Sequence, residues 1–220
     1  ENQQALKTSL GTLTRVLDRV NWPDVTKDQP EAWLYFYESF LEVYDNALRK
    51  RTGSYYTPPE VVAAMVSLVD EALRSPSLFA RPAGLASSDV TIADPATGTG
   101  TFLLGVIRQI AQSVSDDKGP GAVGPAIAAA AHRLIGFELQ FGPFAVAQLR
   151  LIAEMQALIN VSGGTGGNLP SLRLFVTDTL GDPFAEQAQY SSMLAPIGQS
   201  RKEANEIKRS EPITVVIGKP

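Results

Sequence analysis

The second half of the chain alternates short β-branched runs with longer helical segments, and this alternation limits the fold more than any other feature. The runs are 90–94 (VTIAD), 134–138 (LIGFE), 172–178 (LRLFVTD) and 213–217 (ITVVI). Between them, the spacing of apolar residues predicts helices over 100–114, 126–132, 143–159 and 200–209. Strands separated by helices pair in parallel through right-handed crossovers. The expected fold class is therefore α/β, an open, doubly wound, Rossmann-like sheet. With 220 residues and 44% hydrophobic content, the chain can bury one substantial core. The Gly-rich stretches 119–124 and 163–167 read as surface connections. No internal repeat is present.

Ahead of the alternating region the pattern is helical. Leu6, Leu10, Leu13, Val16, Leu17 and Val20 predict a helix over 3–20. Trp33, Tyr37, Phe40, Leu41, Tyr44 and Leu48, at spacings of three and four, predict another over 30–50 whose aromatics pack in a core. In "YYTPPEVV", Thr57 and Glu60 have capping-box spacing, so a helix is expected from Pro58 to about Leu73. These patterns divide the chain into a helical segment, 1–52, and an α/β domain, 53–220.

Ligands of open α/β sheets gather at the carboxyl ends of the strands. Three of the four strands deliver an acid near that edge: Asp94, Glu138 and Asp178. Asp94 also opens a turn with two close glycines, "DPATGTGTFLLG" (94–105). A Walker loop would need Lys and Ser/Thr after its last glycine, but Thr101 and Phe102 follow Gly100. A dinucleotide fingerprint would need a third glycine where Leu103 stands, and an acid nearer than Glu138. A ligand with an ammonium, a ribose diol and an adenine amino group, but no phosphate, suits the acids better. S-adenosylmethionine has these groups. Asp94 would lie near its ammonium, Glu138 would accept from the ribose hydroxyls and Asp178 from the adenine amino group. Gly98 and Gly100 would let the backbone approach closely. The plainer alternative, that strand-end acids cap helices or face solvent, holds for single acids better than for three beside one glycine turn.

Other chemistries are limited by composition. The chain has no cysteine, which excludes disulfides, thiolate zinc sites and cysteine nucleophiles. Its single histidine, His132, cannot build a histidine metal cluster; no metal is expected. A net charge of −4 does not suit a protein that coats nucleic acid. Neither a secretory signal nor an apolar stretch long enough to cross a membrane is expected, which makes the cytoplasm the default location. The chain lacks an initial Met and stops at "VVIGKP", so it reads as part of a longer protein.

"DPATGTGTFLL" resembles the S-adenosylmethionine motif of N6-adenine DNA methyltransferases, Asp-Pro-x-x-Gly-[Ser/Thr]-Gly. "TGSYYTPPEVV" resembles the cofactor-carboxylate motif that precedes it in one order of that family, and "GFELQFGPFAVAQLRL" and "FVTDTL" follow in sequence. "FYESFLEVYDNALRKRTGSYYTP" is similar to the helical lead-in of large single-chain restriction–modification and phage-defence methyltransferases. The resemblance implies S-adenosyl-L-methionine as cofactor. It also implies that Tyr56, Thr57 and Pro58 lie near the methionyl carboxylate, with an anion site at the helix amino-terminus at Pro58. Asp94, Ala96, Gly98 and Gly100 would surround the methionine moiety, Glu138 would hold the ribose, Asp178 the adenine amino group, and Leu139 and Leu180 would flank the ring.

One departure bears on catalysis. The family motif after the fourth strand is Asn/Asp/Ser-Pro-Pro-Tyr/Phe, which accepts from the flipped adenine's amino group and stacks on its ring. Here Gly218 is followed by Lys219 and Pro220, and lysine has only donors. The catalytic residues are therefore unassigned. The chain is cut or joined there, or it is catalytically inactive. The resemblance implies duplex DNA as partner, through a target-recognition region outside this chain, and possible restriction or defence subunits. A methyltransferase of RNA or protein, or an inactive binding scaffold, would share the same cofactor residues.

Overall fold

The computed structural model describes residues 57–162, 171–184 and 195–219, together with Gly11, Arg15 and Arg19. The chain divides into two units, Glu1–Gly53 and Ser54–Pro220. The helix expected over 30–50, most of that over 3–20, Tyr56, the 163–167 stretch and Pro220 lie outside the described residues.

The elements run α1 (Pro59–Arg74), β1 (Ile92–Asp94), α2 (Thr101–Lys118), α3 (Val123–Ala131), β2 (Leu134–Glu138), α4 (Phe141–Val161), β3 (Arg173–Val176), α5 (Ala195–Ser210) and β4 (Val215–Val216). The sheet has the order β3-β2-β1-β4, and every pairing is parallel. Its registers put Ala93 opposite Ile135 and Val216, and Phe137 opposite Phe175. The α/β expectation holds.

Period-two alternation sorts the strand residues between two cores. Ile92, Leu134, Val215 and Ile217 pack with residues of α1–α4, whereas Ala93, Ile135, Phe137 and Phe175 pack with Ala204 and Ile207 of α5. Right-handed crossovers explain the division. The path β1 to β2 to β3 moves outward in one direction, so its helices share one face. The path β3 to β4 returns past β1, which puts α5 on the other face. The reversal leaves a topological switch point between β1 and β4, the place where such sheets bind ligands.

Four details differ from the sequence reading. First, the strands are shorter than expected, although the ladder continues past their ends: Ile217 N–H donates to Ala93 O at 3.0 Å and Thr177 N–H to Glu138 O at 2.8 Å. Second, α1 starts at Pro59 with Pro58 as its N-cap, and no side chain caps it. Pro59 excludes its predecessor from the helical region, so Pro58 is extended (φ −53°, ψ 136°) and the Thr57–Glu60 capping box is not made. Third, 119–124 is not merely a loop. Pro120–Ala122 forms a 3-10 turn that leads into α3, where Gly124 lies close against α4 and Ser162.

The fourth difference concerns α4, which by length and composition could cross a membrane, with a mean hydropathy of 1.2. No such stretch was expected. Only Arg150 and Glu154 of its 21 residues are charged. The helix is part of the α/β core: Ala147, Leu151 and Met155 are buried, and Glu154 forms a two-pronged ion pair with Arg108 of α2 at 2.8 and 3.0 Å.

Candidate cofactor site at the sheet switch point

The turn after β1 is held by a set of hydrogen bonds. Asp94 Oδ1 accepts from Ala96 N–H at 3.0 Å, and Asp94 O accepts from the Thr97 hydroxyl at 3.1 Å. Thr97 N–H donates to Phe137 O at 2.9 Å, and Gly100 N–H to Thr97 O at 2.8 Å. Gly98 N–H donates to Glu138 Oε2 at 2.8 Å, and the Thr179 hydroxyl to Pro95 O at 2.6 Å. The turn after β1 is thus bonded to the end of β2 and to the loop after β3. Gly98 (φ 55°) and Gly100 (φ 84°) are both left-handed, which explains glycine at each. A Cβ on Gly100 would lie 3.2 Å from that of Ala147, whereas one on Gly98 would meet nothing nearer than Ala96 O at 3.9 Å. One side of the turn is closed by α4 and the other is open.

The three acids are presented differently. Asp94 is fully buried, and among the described residues its Oδ2 has no hydrogen-bond partner. Burial pushes its pKa up to about 7; the Ala96 amide opposes the shift and the Glu138 charge adds to it. Glu138 is also buried, and each oxygen accepts one backbone N–H, from Gly98 and from Gln140 at 2.7 Å. A carboxylate offers about four lone-pair positions, so two remain open to further donors. Asp178 is exposed, two residues past β3, with Oδ1 accepting from Leu180 N–H at 3.0 Å. Lys208 Nζ reaches Asp178 O at 2.5 Å and lies 5.9 Å from the Phe137 ring centroid. Partial burial lowers the Lys208 pKa, opposed by the Asp178 charge. Leu139 and Leu180 are both exposed.

Helix α1 brings Thr57 and Pro58 to the same edge. Gly105 of α2 lies against Val62 and Val66, Gln109 Nε2 donates to Asp70 Oδ2 at 3.4 Å, and Arg74 pairs with Asp117 at 3.8 Å. Residue numbers rise together in these pairs, so α1 and α2 run parallel with adjacent amino-termini. The anion site expected at Pro58 is reduced, however. Pro58 and Pro59 have no N–H, so the first amide this end offers is that of Glu60.

Sequence reasoning missed Thr97, Arg150, Thr179, Lys208 and Gly218. A Cβ on Gly218, just past β4, would crowd Asp94 Oδ1, which favours glycine there. Arg150 did carry a signal, as one of two charges on an otherwise apolar helix.

A sequence model of N-6 DNA methylases matches residues 33–153, which include Asp94, the glycine turn and Glu138. The chain belongs to the N-6 DNA methylase family. Membership in this family implies a methyl-donor cofactor. Among solved structures, the chain is similar to a DrdV–DNA complex (TM-score 0.64, 25% identity), covering 84% of this chain and 15% of that one. It is also similar to a nuclease-deletion mutant of the Type ISP restriction-modification enzyme LlaGI in complex with a DNA substrate mimic (0.57, 25%), covering 74% of this chain and 12% of that one. The fold is shared as well with the ATP-dependent Type ISP restriction-modification enzyme LlaBIII bound to DNA (0.67, 24%), covering 88% and 12%. The chain thus spans under a sixth of each of these proteins. No curated protein matches it.

Proposed function

We propose that this family member forms the S-adenosylmethionine-binding part of a DNA adenine-N6 methyltransferase of a restriction–modification or phage-defence system. The observation that carries the reading is the buried Oδ2 of Asp94, without a hydrogen-bond partner among the described residues, at the entrance of a glycine turn that is open at Gly98. A buried acceptor without a partner is costly, and the ligand ammonium would supply the missing donor. Ala96, Gly98 and Gly100 give that end of the ligand a close backbone approach, and Thr57 and Pro58 face it from the start of α1. Glu138 would accept from the ribose hydroxyls while continuing to hold the Gly98 amide. Asp178 would accept from the adenine amino group, and exposed Leu139 and Leu180 would cover the ring faces. The cofactor, when bound, supplies an electrophilic methyl group.

Gly218 packs on Asp94, so residues following it would emerge beside the methionyl end. That is where a group accepting from a target adenine belongs. We infer that duplex DNA is contacted largely through sequence outside these 220 residues. Two facts support this: the net charge of −4 and the small share of the DNA-bound relatives that the chain spans. Titration calorimetry with S-adenosylmethionine and S-adenosylhomocysteine tests the cofactor reading. Asp178→Ala and Glu138→Ala should each weaken binding, by about 1.5–3 kcal/mol for one charge-assisted hydrogen bond. Unchanged affinity in both variants would refute the assignment.

A further inference from the structure

We propose that Arg150 is a positioning residue that locks the Thr99–Gly100 peptide and so shapes the pocket for the methionyl part of the cofactor. This rests on the cofactor reading above. Arg150 projects from α4, one turn beyond Ala147, the residue against which Gly100 packs. Its Nη1 donates to Thr99 O at 2.7 Å and lies 3.3 Å from Thr99 Oγ1 and 3.4 Å from Thr101 Oγ1. One nitrogen therefore spans the turn and the first residue of α2.

The need for such a lock follows from the glycines. Gly98 and Gly100 have wide backbone freedom, and Thr99 between them contributes the peptide whose orientation decides where the turn's amides point. Holding Thr99 O toward α4 fixes the Gly100 N–H, which donates to Thr97 O at 2.8 Å. The open side at Gly98 then keeps its shape before a ligand arrives. Electrostatics argue against a merely decorative role. A cation at the amino-terminus of α2 opposes the helix dipole, so the hydrogen bonds to Thr99 must outweigh that repulsion. The planar guanidinium, with several donors on one rigid group, can hold carbonyl and hydroxyls together; a lysine ammonium meets them less well.

The test uses the 220-residue chain and three ligands: S-adenosylmethionine, S-adenosylhomocysteine and 5′-methylthioadenosine, which lacks the amino-acid part. Calorimetry on the wild type, Arg150→Met and Arg150→Lys is paired with thermal unfolding. Arg150→Met should bind the first two about tenfold more weakly, as expected for loss of a charged hydrogen bond. Binding of 5′-methylthioadenosine should stay within about twofold, and Arg150→Lys should recover part of the loss. Equal weakening for all three ligands, or wild-type affinity throughout, would overturn the proposal. If Arg150→Met does not fold, Arg150→Lys decides: it should lose affinity for the methionyl-bearing ligands only, and parity with the wild type would refute the role. A wild type that binds none of the ligands would instead refute the cofactor reading itself.

Discussion

Asp94→Asn tests the electrostatics of the site without any ligand. The Asp94 pKa rises from 3.8 to about 7 because the carboxyl is buried. The folded state therefore holds this proton more tightly than the unfolded chain does. The stability linked to that proton is fully present below pH 3.8 and is lost as pH rises through 7. A shift of this size corresponds to about 4 kcal/mol in all, at about 1.36 kcal/mol per unit. Over the accessible range from pH 5 to pH 8 the loss is about 3 kcal/mol. Asparagine keeps an oxygen for the Ala96 amide and does not titrate. Its own packing cost is the same at every pH, so the quantity to read is the change in the wild-type-minus-variant difference. Urea unfolding at half-unit steps should show the wild type losing about 3 kcal/mol relative to Asp94→Asn between pH 5 and pH 8. Parallel profiles would refute the argument. A second signature should appear with S-adenosylmethionine: an ammonium at Oδ2 favours the ionised form, so binding near pH 6 should release protons into the buffer.

Other expectations follow from neighbouring residues. Gly218→Ala puts a Cβ against the buried Asp94 carboxyl and should cost about 1–3 kcal/mol by overpacking, measured by chemical denaturation; wild-type stability would show that β4 can move away. Thr179→Val removes the donor to Pro95 O and should destabilise by about 1 kcal/mol while weakening cofactor binding, because it separates the third loop from the first. Lys219 offers only donors, so these 220 residues should transfer no tritiated methyl group from S-adenosylmethionine to DNA. Labelled DNA would require another acceptor for the adenine amino group.

The fold was largely legible because its central strands, β1 and β2, are buried on both faces and read as short apolar runs between amphipathic helices. Sequence alone places Ile92 and Leu134 in strands, and the crossover rule orders the parallel sheet. Helix ends were less legible, since they depend on single backbone conformations. At Pro58 the capping box matched by residue type, yet the following proline removed the geometry it needs. In α4 apolar composition fits a membrane span and a core helix equally well, and only packing on the sheet separates them.

The site was legible where its chemistry belongs to one residue and illegible where it belongs to a contact. Asp94, Glu138 and Asp178 could be found because an acid at a strand end is visible in one dimension. The way they share the work was not. Glu138 accepts from the Gly98 and Gln140 amides, so it preorganises the first loop. Asp94 stays buried because Gly218, 124 residues later, leaves room for its carboxyl. Thr179 and Arg150 act on carbonyls of the same turn from β3's loop and from α4. Each partner lies far away in sequence: Arg150 and Thr179 reach the turn from the β2–β3 side, and Gly218 from the strand that the switch in order sends back past β1. The topology that creates the crevice is thus also what brings the supporting residues to its edge. Substitutions at Gly218, Thr179 or Arg150 should therefore alter the site although none of them is an acid of the predicted set.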